Sequence, residues 1–522
     1  MKEALMLRGV VAIVCGLFLC CDAFGEGASA SRITPERLQG AIKNLEALAA
    51  KTIETNGTPG LAIAIVHHDK VIYTKCFGVR EAGKPELVDA NTVFQVASMS
   101  KPITSTVLAA LVGEKKIGWD DRVSDHDPTF VMYTPYVTRE LRLRDLLCHR
   151  SGLPDHAGDL LEDMGYPAAE ILRRLRYQPP SSSFRAGYAY NNFGYSEAAY
   201  AAAKGVGAAW NQVAQEALFK PLGMTATSYA FADYEAADNR AELHVLIDRK
   251  WVAKNTRDPD AQAPAGGASS TISDLTKWMR LHLAGGKFEG KQIIAEAALA
   301  ETRTPQIVTG FTPEQGRVAS YGLGWNVIDQ RGGLIVANHS GEFSMGVRTE
   351  ASLIPAEELG IAVLSNSAPN GVPEGLTESF FDWALDGKLQ RDWMAFANQQ
   401  FELMVANEMA QTSDFSKAPT DRGAPLALAA YAGKYQNDYY GLIEIAERGG
   451  KLTLGLGPKL EPFPLAHWDR DVFWFQPAGE MSAGRSGVIF SVGPAGRAES
   501  VRIENLDVNG MGRFERVKEK ED

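Results

Sequence analysis

Clustered positive charge is missing from this 522-residue chain: Lys and Arg number 53 against 64 Asp and Glu, a net −11, and no basic block occurs along it. Binding a phosphate backbone draws on clustered Lys and Arg, so a nucleic-acid or anionic-membrane partner is excluded as the main role. Cysteine is scarce, at five residues. That excludes a disulfide scaffold, and no Cys or His spacing resembles a zinc site. P-loop, G-x-S-x-G and H-E-x-x-H motifs are all absent, which removes support for nucleotide-binding, α/β-hydrolase and zinc-protease readings. What is present is ordinary for a globular protein, with 45% hydrophobic and 22% charged residues, 50 Gly and 25 Pro. At about 100–200 residues per domain, the length implies two or more domains.

The longest apolar run near the start, Val10 to Leu19, follows Lys2 and Arg8 and precedes small residues. That order reads as a signal peptide over residues 1–25, with Ala23-Phe24-Gly25 and Ala28-Ser29-Ala30 as alternative cleavage contexts. The run falls short of the roughly 20 residues of a spanning helix. An exported, periplasmic or secreted protein without a membrane span in its mature chain is therefore expected. Cys15, Cys20 and Cys21 leave with the signal, and Cys76 and Cys148, both within apolar stretches, are expected as buried free thiols.

Periodicity predicts a helix over Thr34 to Thr55, a β-hairpin from Leu61–Val66 and Val71–Cys76, and a buried helix over Lys101 to Val112. A further helix is expected over Ser273–Leu283, begun by a Ser or Asp cap, and strands at Gly333–Ala337, Arg348–Ile354 and Gly360–Ser365. Strands near both ends with helices between them indicate an α+β fold with a mostly antiparallel sheet. Leu389–Met409 reads as helix and Thr412–Pro425 as linker. From Leu428 onward, short alternating runs broken by Gly, Pro and Asn predict a small all-β barrel or sandwich, with its aromatics mostly core.

Three patterns can carry chemistry. Ser98-Met99-Ser100-Lys101 is an S-x-x-K at the start of the buried helix, where residues three apart share a face. A neutral, desolvated lysine can take the hydroxyl proton of such a serine, and a helix start offers free backbone N–H groups beside the reacting carbonyl. Tyr190-Asn191-Asn192 can present a phenol and an amide together from a loop, the phenol relaying protons with Lys101. His339-Ser340-Gly341 can offer a cationic or hydrogen-bonding side chain on an edge strand to a substrate carboxylate, with Gly341 permitting close approach of the backbone. Taken singly, each is as easily a cap, a turn or a strand end.

Their order is more informative than any one of them. S-x-x-K, Y-x-N about 90 residues on and [KH]-[ST]-G about 150 after that resembles the serine β-lactamase and penicillin-binding fold, and its class C β-lactamase-related branch in particular. FQVASMSKPITSTVLAALV, LRDLLCHRSGLPDH, LFKPLGMTATSY, PAGGASSTISDLTKWM, YGLGWNV and HSGEFSMG are all similar to segments of that family, from Ile33 to Leu385. The segment from AAYAGKYQNDYYGLIEI to RFERV resembles the lipocalin-like β-domain appended to many of these hydrolases.

The resemblance implies a hydrolase domain at 31–388, a helix and linker at 389–427 and a β-domain at 428–518. It implies Ser98 as nucleophile, Lys101 and Tyr190 sharing acid and base work, and Asn192 holding Lys101 or a substrate amide. His339, Ser340 and Gly341 would line the substrate, and the N–H groups of Ser98 and Glu342 would form the oxyanion hole. No cofactor or metal is implied. His339-Ser340-Gly341 departs from the K-T-G usual in active β-lactamases and is more like the D-amino-acid peptidases. Phe184-Arg185-Ala186-Gly187 replaces the usual Pro-Gly before Y-x-N. The expected function is acyl transfer on small ester or D-amino-acid amide substrates. A penicillin-binding protein with slow β-lactam turnover and a non-catalytic envelope scaffold are the alternatives. His149, Asp155 and His156 are expected to fix loops, and Arg185 to form a structural salt bridge.

Overall fold

A computed structural model describes residues 31–312, 317–330, 333–410, 413–417, 419–482 and 484–518; the expected signal segment lies outside the described residues. The first helix, α1 (Pro35–Asn56), begins where the Thr34 side chain accepts from Arg37 N, and it ends at Gly57 in the left-handed region. The hairpin follows as β1 (Gly60–His67) and β2 (Lys70–Gly78). Leu61, Ile63 and Ile65 of β1 face one core, and Ala62, Ala64 and Val66 face another. Burial on both faces is why this strand reads as an unbroken apolar run rather than an alternating one.

Helix α2 (Ser100–Gly113) is buried on every side from Ser100 to Leu111. It lies near α3 (Asn192–Gly205) and α4 (Ile272–Leu283) in the helical region. The cap of α4 differs from expectation: the Thr271 side chain accepts from Asp274 N, while the Ser273 hydroxyl donates to Ala90 O. Six strands complete the main sheet: β3 (Ile307–Thr312), β4 (Arg317–Tyr321), β5 (Asn326–Gln330), β6 (Leu334–Phe343), β7 (Val347–Ile354) and β8 (Leu359–Ser365). The order is β2-β1-β8-β7-β6-β5-β4-β3, antiparallel throughout. Helices α1 and α5 (Val372–Asp386) cover one face, and the helical region covers the other. Helix α6 (Trp393–Ala410) starts later than the expected Leu389, because the Asp392 carboxylate accepts from Ala395 N and caps it there.

The C-terminal part is a nine-stranded antiparallel sheet: β9 (Gly433–Asn437), β10 (Gly441–Arg448), β11 (Lys451–Leu456), β12 (Glu461–Pro464), β13 (Ala466–Asp469), β14 (Val472–Phe475), β15 (Ser486–Val492), β16 (Ala498–Ile503) and β17 (Arg513–Arg516). Its order, β12-β11-β10-β9-β17-β16-β15-β14-β13, ends on two strands consecutive in the chain, so the sheet curls into a nearly closed barrel. Tyr435, Phe473, Phe475, Phe490 and Phe514 fill it, as expected of core aromatics. Trp474 instead lies under Arg485, whose guanidinium sits 4.2 Å from the ring.

The barrel docks on the helical region through specific polar contacts. The Tyr166 hydroxyl donates to Tyr440 O at 2.8 Å, and Arg174 donates to Tyr439 O at 2.8 Å. Between β14 and β15 a loop leaves the barrel and turns toward the sheet; there the Asp163 carboxylate accepts from Glu480 N at 2.9 Å and Met481 N at 2.8 Å. A Cβ at Gly479, which has φ +111°, would stand 2.3 Å from Asp163 Cγ, so the close approach of this loop requires glycine.

Candidate active site

Ser98 sits in a single 3₁₀ turn, Ala97–Met99, just ahead of α2. The preceding residue, Ala97, is buried with φ +47°, an uncommon conformation for a residue with a Cβ. It is held there by Ser100, whose hydroxyl donates to Ala97 O at 2.6 Å and accepts from Ala268 N at 2.8 Å. The turn thus fixes Ser98 at the junction of two cavities rather than along the buried helix. One is lined by Tyr190, Tyr321, His339, Ser340, Glu342 and Arg348, among others, and the second by Asp159, Glu162, Arg257 and Glu480.

Lys101 follows one helical turn later and is wholly buried. Its Nζ lies 3.1 Å from Ser98 Oγ, 2.7 Å from Asn192 Oδ1 and 3.0 Å from Ala265 O. Burial pulls the lysine down to about 7, against the opposing pull of the Asp159 charge. The amide of Asn192 is oriented from its other end, where Nδ2 donates to Asp159 Oδ2 at 2.8 Å. Lys101 Nζ is thus held by Asn192 Oδ1 and Ala265 O on two sides and faces Ser98 Oγ on the third.

Tyr190 lies opposite, its hydroxyl donating to Ser98 Oγ at 2.8 Å. Burial pushes this phenol well above its ordinary value, partly offset by that hydrogen bond. A phenol so disposed keeps its proton and donates to Ser98 Oγ, which accepts from Lys101 Nζ as well. The Lys101 amine also stands 4.4 Å from the centre of the Tyr190 ring.

The Y-x-N segment divides its work. Tyr190 is in a loop, Asn191 caps α3 by accepting from Gly194 N at 2.6 Å, and Asn192 is the first residue of the helix. His149 fixes this loop: its Nδ1 accepts from Asn191 N at 3.1 Å, and its ring packs 4.7 Å from that of Tyr190. His156 pairs with Asp159 at 2.8 Å, and Arg185 pairs with the fully buried Asp145 at 2.7 Å. The loop and salt-bridge roles expected for these residues agree with that placement.

The third motif differs in setting from its expectation. His339 lies on β6, which pairs with β5 on one side and β7 on the other, so it is on an interior strand and not an edge. Both ring nitrogens are engaged, Nε2 with the Tyr321 hydroxyl at 2.9 Å and Nδ1 with Ser340 O at 2.6 Å. Burial and the Lys101 charge pull His339 down to about 3, so it is a neutral wall of the site rather than a cation. Ser340 donates to Glu374 at 2.7 Å. Arg348 is shared between Glu374 and Glu342. Gly341 is needed for close packing: a Cβ there would stand 2.1 Å from Val96 O and 3.0 Å from Met99 N, against the turn that carries Ser98. Glu342, the next residue, lines both cavities with Ser98.

Several residues at this site carried no motif. Asp159 is visible in the sequence only as one more residue beyond CHRSGLPDH, Tyr321 opens the YGLGWNV segment, and Ala265 lies in PAGGASS. Glu162, Arg257 and above all Glu480 had no signal. Glu480 comes from a β-domain loop more than a hundred residues from the nearest motif, and only the docking of the two parts brings it here. Cys76 and Cys148 are both free thiols, the second buried and the first only half-buried.

The arrangement brings a serine within hydrogen-bond reach of a buried lysine and a tyrosine, on an antiparallel sheet with a helical cover. The chain belongs to the Beta-lactamase family, whose model matches residues 45–378; a second model, a domain of unknown function (DUF3471), matches residues 417–516. It is 25% identical over 433 residues to unguisins hydrolase ungD of Aspergillus violaceofuscus, spanning 74% of this chain and 73% of that one. It is also 24% identical over 327 residues to the D-alanyl-D-alanine-carboxypeptidase/endopeptidase AmpH of Escherichia coli K12, spanning 60% and 81%. The octameric penicillin-binding protein homologue from Pyrococcus abyssi superposes with a TM-score of 0.57 at 19% identity, over 91% of this chain and 99% of that one, a likeness of fold. This protein is a serine hydrolase of the family.

Proposed function

We propose that the protein hydrolyses a small ester or amide through an acyl-enzyme on Ser98. The reading rests above all on one observation: Ser98 Oγ lies between a buried lysine held near neutrality at 3.1 Å and a protonated tyrosine at 2.8 Å. In the acylation step the Ser98 proton passes to Lys101 Nζ as Oγ bonds to the substrate carbonyl carbon. The oxyanion is received by the N–H groups of Ser98 and Glu342. On collapse the bond to the leaving group breaks, and that group takes a proton from Tyr190, which Lys101 then reprotonates. Water repeats the sequence: it loses a proton to Lys101, its oxygen bonds to the acyl carbon, and Ser98 leaves with a proton. Asn192 holds Lys101, and His339, Ser340 and Gly341 wall the substrate.

The hydrolase domain at 31–388 carries this chemistry in the proposal, joined by the helix and linker at 389–427 to the β-domain at 428–518. Export rests on the positive, apolar, small pattern of the first 25 residues. Esters and amino-acid amides fit better than β-lactams. Burial keeps His339 neutral and Arg348 is already shared by two carboxylates, leaving no free cation among the described residues of that cavity to meet a β-lactam carboxylate.

Parallel assays with p-nitrophenyl acetate, D-Ala-p-nitroanilide and a chromogenic cephalosporin test the proposal. Turnover of the first or second, abolished in Ser98→Ala, supports it. A stable penicillin adduct without turnover of any substrate supports the slow penicillin-binding alternative instead. Equal inertness of both proteins, with no penicillin adduct, contradicts it.

A further inference from the structure

The second cavity beside Ser98 is small, about 60 Å³, and walled by carboxylates from both parts of the chain. Asp159 and Glu162 come from the helical region, and Glu480 from the β-domain loop. All three keep an oxygen without a hydrogen-bond donor among the described residues: Asp159 Oδ1, Glu162 Oε1 and Glu480 Oε2. Asp159 and Glu162 are more than nine-tenths buried at their side chains. Buried carboxylate oxygens without donors cost free energy unless a partner arrives.

The cations already present do not meet this demand. Arg257 donates to Glu162 Oε2 at 2.7 Å, but its Nε, 3.9 Å from Glu480 Oε2, makes no hydrogen bond among the described residues. Asp163 adds a further carboxylate behind the loop, bound to the backbone of Glu480 and Met481. His156 is engaged with Asp159 through Oδ2, and the Lys101 amine is turned to Ser98, Asn192 and Ala265. Burial pushes Glu162 and Glu480 each up to about 7, against the opposing pull of Arg257.

We infer that this cavity is an ammonium subsite: it receives the free amino group of the acyl part of the substrate, and Glu480 of the β-domain is one of its specificity-determining residues. The inference rests on the proposed acyl transfer at Ser98 and names the substrate class within it. An ammonium has three N–H donors, matching the three donor-free oxygens in number, and it is small. A cavity of about 60 Å³ is small but has room for an ammonium on a short arm. The amine is therefore terminal and close to the scissile carbonyl, and an N-acylated donor is disfavoured. The β-domain is then a wall of the site and not an appendage.

The test compares matched acyl donors on the full chain: D-Ala-p-nitroanilide and D-Ala-p-nitrophenyl ester against their N-acetyl and des-amino (propionyl) counterparts. The wild type is expected to favour the free amine at least tenfold in kcat/KM, mainly through KM. Glu480→Gln and Glu162→Gln are expected to shrink that ratio at least tenfold, and alaninamide is expected to slow fluorophosphonate labelling of the wild type competitively. Turnover of propionyl or acetyl donors with no preference for the free amine, and no protection by alaninamide, overturns the ammonium subsite and leaves the hydrolase reading standing. Failure of every donor together with failure of Ser98 to label overturns both. The wild-type ratio and the protection experiment decide the matter even where a variant does not fold.

Discussion

Lys101 Nζ lies 2.7 Å from Asn192 Oδ1, and the same amide donates from its nitrogen to Asp159 at 2.8 Å, so one asparagine helps to set how the lysine amine faces Ser98. This link joins the start of α2 to the start of α3. It leaves the amide no freedom to flip, since one end needs an acceptor and the other a donor.

The pH dependence follows from this geometry. Only neutral Lys101 can take the Ser98 proton, and burial places the lysine at about 7. The kcat/KM for a neutral ester is expected to fall about tenfold per unit below pH 7 and to level off above it. A pH–rate profile with p-nitrophenyl acetate checks this.

Changing the partners of Lys101 moves that limb in a set direction. The Asp159 charge favours the ammonium, so Asp159→Asn lowers the lysine further and shifts the acid limb to lower pH. Asn192→Ala removes an acceptor that also favours the ammonium and shifts the limb the same way. It also frees the amine to rotate, for a loss in kcat of about 10–100-fold. Lys101→Met is expected to lose about 10³-fold or more, and Tyr190→Phe about 10²-fold, with the acid limb retained in the latter.

Gly341→Ala tests the close approach of β6 to the Ser98 turn. The added Cβ meets Val96 O, a backbone atom that cannot swing aside. A stability loss of about 2–3 kcal/mol is expected, as for overpacking in a tight core, together with a large loss of kcat. Thermal melting and ester hydrolysis measured on one preparation separate the two effects.

The junction between barrel and helical region has its own pH response. Burial raises Asp163 to about 6 and Glu162 and Glu480 to about 7, above their values in the unfolded chain. Between the unfolded values near 4 and the folded ones, the folded state binds more protons, so stability contributed here rises as pH falls from about 8 toward 5. The protection of amides in the loop around Glu480, taken relative to their intrinsic rate at each pH, is expected to rise over that range. Lower protection at pH 5.5 than at pH 8 contradicts the sign.

Much of this was legible in the sequence. The buried helix after Lys101, the hairpin at Leu61–Cys76 and the late strands carry strong local periodicity, and the three motifs mark residues that meet in space. The neutrality of His339 was not legible, because it arises from burial, which outweighs the hydrogen bond to the Ser340 carbonyl that favours the cation. The interior position of β6 depends on β5, which the hydropathy pattern did not mark. The start of α6 turned on one capping carboxylate, Asp392, within a stretch that otherwise reads as helical. Glu480 was beyond reach for a different reason: its role comes from docking, and no local pattern encodes which loop of a barrel will face a distant serine.

The most direct test of the central claim is mass spectrometry of the protein after reaction with a fluorophosphonate across pH 5–9. A single adduct on the peptide containing Ser98 is expected, absent in Ser98→Ala, with a labelling rate that falls below pH 7 as Lys101 becomes protonated. Labelling of Ser98→Ala at the wild-type rate, or an adduct on another residue, contradicts the account.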